Sequence, residues 1–154
     1  MISKNAKIFL AGHKGHLGLA IFKKLKKNGF KKIITIDKKK LNLLNQKKVF
    51  SFLKNTKPNI VIIAAARVGG IYANNNNRAE FIYENLTIQN NLIHGSYING
   101  VKNLIFFGSS CIYPKNITKP ITEDMLLSGK LEYTNEPYAI AKIAGVKLCE
   151  NYNR

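Results

Sequence analysis

Three glycines, Gly12, Gly15 and Gly18, constrain what this chain can fold into more than any other feature. They follow a short apolar run from Lys7 to Ala11. They precede Leu17, Ala20, Ile21, Phe22 and Leu25, which recur at helical spacing until Asn28 and Gly29 stop the pattern. A strand that passes into a helix through bare glycines can turn tightly and expose backbone N–H groups at the helix start. Gly12 permits the turn, Gly15 lets that backbone approach a pyrophosphate, and Gly18 allows the helix to lie close to the strand. The helix N-terminus then faces the phosphates with its partial positive charge.

The rest of the chain repeats the alternation. Residues 32–37 read as a second strand and residues 46–55 as a second helix, with Val49, Phe50 and Leu53 apolar. Pro58 breaks that helix, and residues 59–64 form a third strand. A Gly/Asn-rich loop over residues 68–77 leads to a long helix over 79–99, and residues 102–107 give a fourth strand. An irregular stretch from Gly108 to Pro137 precedes a last helix over 138–151. The continuous β-branched strands suit a parallel sheet covered on both faces. The order predicts an α/β fold, a doubly wound parallel sheet of the Rossmann type, as one NAD(P)-binding domain over residues 1–154. The sequence ends directly after a helix, with no closing strand. It is therefore expected to be the incomplete front part of a protein about twice as long, lacking its substrate-binding part and exposing an unpaired sheet edge when alone.

Charge raises a different reading. The formal net charge is +17, and 16 of the 25 basic residues lie before Pro58, opposed there only by Asp37. A basic half suggests nucleic acid. The lysines, however, come in pairs along and after an amphipathic helix (Lys23, Lys24, Lys26, Lys27, Lys31, Lys32), and arginine occurs only at Arg67, Arg78 and Arg154. A solvated lysine face is the expectation, with some of the charge serving an anionic cofactor and substrate. The first apolar run is too short for a secretory signal, and no run approaches a membrane span, which places the protein in the cytoplasm. Cys111 and Cys149 form no CxxC pair, and no cluster has metal-ligand spacing, so no metal is expected.

The cofactor-binding set is Gly12, His13, Lys14, Gly15, His16, Leu17 and Gly18 in the loop, Asp37 and Lys38 after the second strand, and Ala64, Ala65 and Ala66 after the third. Asp37 could accept from a ribose 2′-hydroxyl, which favours NAD. Lys14, Lys38, Lys39 and Lys40 could pair with a 2′-phosphate, which tips the balance to NADP(H). Tyr138 and Lys142 lie four apart and share one helix face, where an ammonium favours a phenolate and can also reach the cofactor ribose. Ser109 and Ser110 offer hydroxyls at the end of the fourth strand, where ligands gather in open α/β sheets.

The segments Ala64–Ile71, Phe81–Asn85, Gly108–Lys115 and Thr134–Gly145 make the resemblance specific. The chain resembles the GDP-L-fucose synthases, within the extended short-chain dehydrogenase/reductases, along nearly its whole length. The resemblance implies NADPH-dependent 3,5-epimerisation and 4-reduction of GDP-4-keto-6-deoxy-D-mannose to GDP-L-fucose. It implies that Tyr138 protonates O4 as hydride reaches C4, that Lys142 tunes Tyr138 and holds the cofactor ribose, and that Ser109 orients the keto oxygen. Cys111 would move protons at C3 and C5 with a histidine beyond Arg154, a role that His13, His16 and His94 do not fill. Asn85 would help fix the active-site lysine, and the full-length protein would be a homodimer. The chain departs from the family pattern in carrying lysines, not arginines, for the 2′-phosphate, with Asp37 beside them. Two rivals remain: an NAD-dependent nucleotide-sugar 4-epimerase of the same superfamily, which Asp37 favours, and a non-catalytic cofactor- or nucleic-acid-binding module.

Overall fold

The computed structural model describes residues 2–154. They form two compact units, one of residues up to Ala66 with Thr87–Phe107, the other of Arg67–Leu86 with Gly108–Arg154.

The first unit is built on four parallel strands: β1 (Lys7–Ala11), β2 (Lys32–Ile34), β3 (Ile60–Ile63) and β4 (Asn103–Phe106), in the order β2-β1-β3-β4. Helices α1 (His16–Lys27) and α2 (Gln46–Thr56) make the first two crossovers. Side chains alternate across a strand, so each strand feeds both faces. On one face, buried Ile8, Leu10, Ile60 and Ile62 pack with Ile21, Phe22 and Leu25 of α1 and with Phe30 and Ile33. On the other, Phe9 is fully buried, its ring 4.8 Å from that of Phe52 on α2. Asn45 caps α2 by accepting from the Lys48 N–H at 2.9 Å, satisfying one orphan donor of the first turn.

Both-sided cover holds for β1 and β3, which are buried almost throughout. It does not hold for the outer strands: β2 is partly exposed, and β4 alternates, with Ile105 47% exposed. Strand β2 also stops three residues short of the expected Asp37. There the chain turns, and the N–H groups of Lys40 and Leu41 both donate to the Asp37 carbonyl at 2.9 Å.

The segment 68–77, expected as a loop, contains a short helix α3 (Ile71–Asn76) in the second unit. Its asparagines stabilise it locally: the Asn76 and Asn77 amides donate to the carbonyls of Tyr72 and Ala73, four residues back. Helix α4 (Arg78–Ile98) follows, its first turns in the second unit and the rest, from Thr87, in the first. In the first unit α4 packs closely on α2, since a Cβ on Gly95 would lie 2.9 Å from both Leu53 and Phe50.

The remaining second unit has three short 3-10 turns, Ser110–Ile112, Glu123–Met125 and Tyr133–Asn135, before α5 (Glu136–Asn153). Helix α5 starts two residues earlier than the periodicity suggests, because Pro137 sits in its first turn, where no N–H partner is needed. Arg78 fastens that start. Its guanidinium donates to the Tyr133 carbonyl at 2.7 Å, pairs with Glu136 at 3.0 Å and lies 4.3 Å from the Tyr133 ring centroid.

Candidate active site

The glycine loop lies at the switch point of the first unit's sheet. Strands β2 and β3 flank β1 on opposite sides, so a crevice opens at the C-terminal ends of β1 and β3. Gly12 has φ +86°, and a Cβ there would lie 2.6–2.7 Å from the backbone of Ala64 and Ala65. The loop is thus pressed onto the end of β3, and Ala64 donates back to the Ala11 carbonyl at 3.0 Å. A Cβ on Gly18 would lie 2.0 Å from the Gly12 carbonyl oxygen, an impossible approach.

Gly15 differs from both. It is the exposed N-cap of α1, with φ −72°, and a Cβ there would meet only the Gly12 oxygen at 3.4 Å, an ordinary contact. The fold therefore demands glycine at positions 12 and 18 but not at 15. The first turn of α1 carries neither an acidic residue nor a side-chain cap, so no side chain of the cap satisfies its orphan N–H groups. That arrangement fits the pyrophosphate of a dinucleotide. His16 and Leu17 are exposed in the same turn.

Asp37 brings the end of β2 to the same loop. Its carboxylate lies 2.7 Å from the Lys14 ammonium and 3.6 Å from the His13 ring nitrogen Nε2. The hydrogen bond from Lys14 holds the Asp37 carboxyl below the usual carboxylate range, with smaller help from the charges of Lys14, His13 and Lys40 against partial desolvation. The residues read from the sequence as opposing signals for the ribose are thus an ion pair. Lys38 is exposed beside them.

The second unit carries the side chains expected to react. Ser109 is extended (φ −160°) immediately before the 3-10 turn that holds Ser110 and Cys111, and the Cys111 thiol donates to Ser109 Oγ at 3.2 Å. Tyr138 and Lys142 share one face of α5, with the Lys142 ammonium 5.7 Å from the Tyr138 ring centroid. Lys142 is 4% exposed. Burial pulls its pKa down to about 8, opposed by the charge of Cys111. Tyr138 moves the other way from the expected phenolate: burial raises its pKa, and Cys111 raises it further. A phenol held in its protonated form at neutral pH is suited to donate a proton.

Asn85, expected to steady the lysine, is 2% exposed and ties backbone together. Its Oδ1 accepts from the Arg67 N–H at 2.9 Å, and its Nδ2 donates to the carbonyls of Arg67 at 3.0 Å and Phe81 at 2.8 Å. The sequence reading missed the support around it. The Arg67 guanidinium pairs with Glu84 and lies 5.1 Å from the Phe81 ring centroid. Glu84 stands beside Asn85, and Arg67 follows a strand end; those placements were the available signal. In the same unit a cavity of about 790 Å³ is lined by Lys115, Lys119 and Lys130, with Asp124 as an acidic member.

Among the described residues no group of three His, Cys, Asp or Glu side chains could hold a metal ion, and no helix is long and apolar enough to cross a membrane. Cys111 and Cys149 are free thiols.

Residues 8–154 match the NAD dependent epimerase/dehydratase family. The chain is similar to putative GDP-L-fucose synthase 2 of Arabidopsis thaliana, 55% identical over 152 residues, which cover 99% of this chain and 46% of that relative. It is 50% identical over 148 residues to GDP-L-fucose synthase of Escherichia coli (strain K12), covering 96% of this chain and 46% of the relative. Among solved structures, a GDP-mannoheptose C4 reductase from Campylobacter jejuni with NADP bound superposes with a TM-score of 0.95 at 46% identity, over 99% of this chain and 48% of that one. A GDP-L-fucose synthetase from Naegleria fowleri bound to NADP gives 0.88 at 29% identity, over 99% and 46%. The chain spans about half the length of the curated relatives it matches.

Proposed function

Because this chain belongs to the NAD dependent epimerase/dehydratase family, we propose that it supplies the cofactor loop and the proton-transfer residues of an NADPH-dependent GDP-L-fucose synthase. The reaction is 3,5-epimerisation and 4-reduction of GDP-4-keto-6-deoxy-D-mannose. When bound, the cofactor supplies hydride to C4 of the sugar. Tyr138, kept protonated by burial, gives its proton to O4. Ser109 hydrogen-bonds the keto oxygen and orients it, and Lys142 places a cation beside the Tyr138 ring. Cys111 works with a histidine supplied by the rest of the full-length protein, one taking and the other returning the protons at C3 and C5, which the neighbouring ketone acidifies.

The observation that carries this reading is the Cys111–Ser109 hydrogen bond at 3.2 Å. It holds the thiol beside the hydroxyl that grips the ketone, which suits a base working one carbon away from that ketone. The cavity carries Lys119 and Lys130, with Lys115 paired to Glu132 at 2.9 Å, and these cations suit an anionic nucleotide-sugar. Identities of 55% and 50% to GDP-L-fucose synthases of a plant and a bacterium support the substrate class. A homodimer in the cytoplasm belongs to the same proposal.

A second reading, a GDP-sugar 4-reductase without epimerisation, draws on the similarity to the Campylobacter jejuni GDP-mannoheptose C4 reductase. The test uses full-length protein, GDP-4-keto-6-deoxy-mannose and NADPH in deuterated water. NADPH oxidation that disappears in Tyr138→Phe, with deuterium entering C3 and C5 in a Cys111-dependent way, supports the synthase. Oxidation without deuterium entry supports the reductase. No oxidation of either NADPH or NADH, with NAD bound tightly in the purified protein, sinks both and favours a 4-epimerase.

A further inference from the structure

We infer that the end of the first unit opposite the glycine loop is a docking face for an anionic lipid bilayer. The inference stands apart from the catalytic reading. It starts from an uneven distribution of charge. All but eight of the chain's 25 basic residues belong to the first unit, and of the chain's eight acids only Asp37 does. The three arginines lie in the second unit, so every basic residue of the first is a lysine.

Topology gathers these lysines. Where helices cross between parallel strands, each helix runs back along the sheet, so strand starts and helix C-termini share one end. Lys7 opens β1 and Lys32 opens β2, and the two are neighbours in register. Lys4 and Lys31 stand just ahead of them, tied by the Lys31 N–H donating to the Lys4 carbonyl at 3.1 Å. Lys26 and Lys27 lie in the last turn of α1, and Lys54 and Lys57 close α2, all of them exposed. The Lys7 ammonium donates to the Thr56 carbonyl at 3.4 Å, which joins the strand starts to the end of α2.

No carboxylate of the unit answers this charge, because Asp37 lies beyond the far end of β2 and is paired with Lys14 at 2.7 Å. A helix C-terminus carries roughly half a negative charge, so α1 and α2 together offset about one lysine. The cofactor does not account for the rest. At about 3.3 Å per residue, Lys7 stands roughly 16 Å from Gly12, about twice the Debye length at physiological salt. These lysines act on whatever meets their own end.

The character of that end selects the partner. Lysine is a point charge on a flexible stem, suited to mobile headgroups, whereas the fixed fork of arginine suits nucleic acid. Single strands also need exposed rings on which to stack. Here Phe22 and Phe30 are packed against the core, with the ammoniums of Lys26 and Lys4 at 5.8 and 4.3 Å from their centroids. Ile2, 56% exposed and two residues before Lys4, adds an apolar side chain that a bilayer interface accepts.

The experiment floats full-length protein with vesicles of phosphatidylcholine, alone or with about one third phosphatidylserine, in about 0.1 and 0.5 M salt. Binding is expected only to the phosphatidylserine vesicles and only at the lower salt. Lys27→Gln with Lys31→Gln should weaken it about 25-fold, about fivefold for each lysine at the surface. Lys47→Gln with Lys48→Gln removes the same charge from the start of α2, at the other end, and should weaken it less than about threefold. All four side chains are exposed, so melting temperatures should match the parent's. No binding to phosphatidylserine vesicles, or equal binding to phosphatidylcholine alone, overturns the inference. Equal losses in the two pairs overturn it too, because total charge would then be the cause. Tighter binding to a DNA duplex at the lower salt, lost with Lys27 and Lys31, overturns it in favour of nucleic acid.

Discussion

Lys142 gives the sharpest quantitative test. It is 4% exposed, and burial lowers its pKa from 10.5 to about 8. An unfolded chain releases this proton near 10.5. Between pH 8 and 10.5 the unfolded state therefore binds more protons than the folded one, and stability rises with pH in that window. Below pH 8 both states are charged and the full desolvation cost is present. A shift of that size corresponds to about 3 kcal/mol across the window. Two other groups on α5 work in the opposite sense: Tyr138 and Cys149 have raised pKa values, so their contributions are lost as pH rises. Subtraction removes them. We expect the stability difference between the parent and Lys142→Met, measured by urea unfolding of the full-length protein, to move in the parent's favour by about 3 kcal/mol between pH 7 and 10.5. The loss of other contacts in the variant adds a constant that does not vary with pH. Turnover that needs the Lys142 cation should fall above pH 8 over the same titration. A difference that stays flat with pH, or one that moves against the parent, refutes the assignment of a buried, charge-strained ammonium.

Other outcomes follow from the packing. Gly18→Ala, with a Cβ 2.0 Å from the Gly12 carbonyl oxygen, should cost about 1–3 kcal/mol or more by overpacking and lower the melting temperature by several degrees. Gly15→Ala should change stability by less than about 1 kcal/mol, its entropic gain and its poorer N-cap roughly cancelling, yet weaken cofactor binding about tenfold or more; similar stability losses in the two variants would contradict the division of labour. Asn85→Leu strands the N–H and the carbonyl of Arg67, while the Phe81 carbonyl keeps its helical partner, and should cost about 1–3 kcal/mol, read as a lowered denaturation midpoint. Phe9→Ala empties a fully buried site against Phe52 and should cost about 3–5 kcal/mol in the same assay.

Strands β1, β3 and β4 and helices α1, α2 and α5 were legible because their apolar periodicity is set by the core they bury. The end of β2 was not. Thr35 and Ile36 look like strand but lie outside the ladder, which ends at Ile34, and from Asp37 the chain turns, closed by bonds to the Asp37 carbonyl; only backbone geometry reveals it. Helix α3 was illegible for a compositional reason: asparagine and glycine read as loop, whereas the amides of Asn76 and Asn77 donate to the carbonyls of Tyr72 and Ala73, four residues back. At the candidate site, Ser109, Cys111, Tyr138 and Lys142 were readable from spacing and resemblance. Their protonation was not, because the phenol rises through burial, which outweighs what a four-residue spacing to a lysine suggests. The Lys14–Asp37 pair joins residues 23 apart in sequence, and no local pattern announces it.

The unequal standing of the three glycines has a consequence for descent. Gly12 and Gly18 are retained by the fold's own sterics, so any descendant that still folds this way will keep them whatever it binds. At Gly15 the fold makes no such steric demand, so the constraint there is the proposed cofactor contact. In a duplicated copy relieved of cofactor binding, Gly15 is the first of the three free to drift, and its loss beside an intact Gly12 and Gly18 would mark a lineage that has kept the scaffold and given up the cofactor.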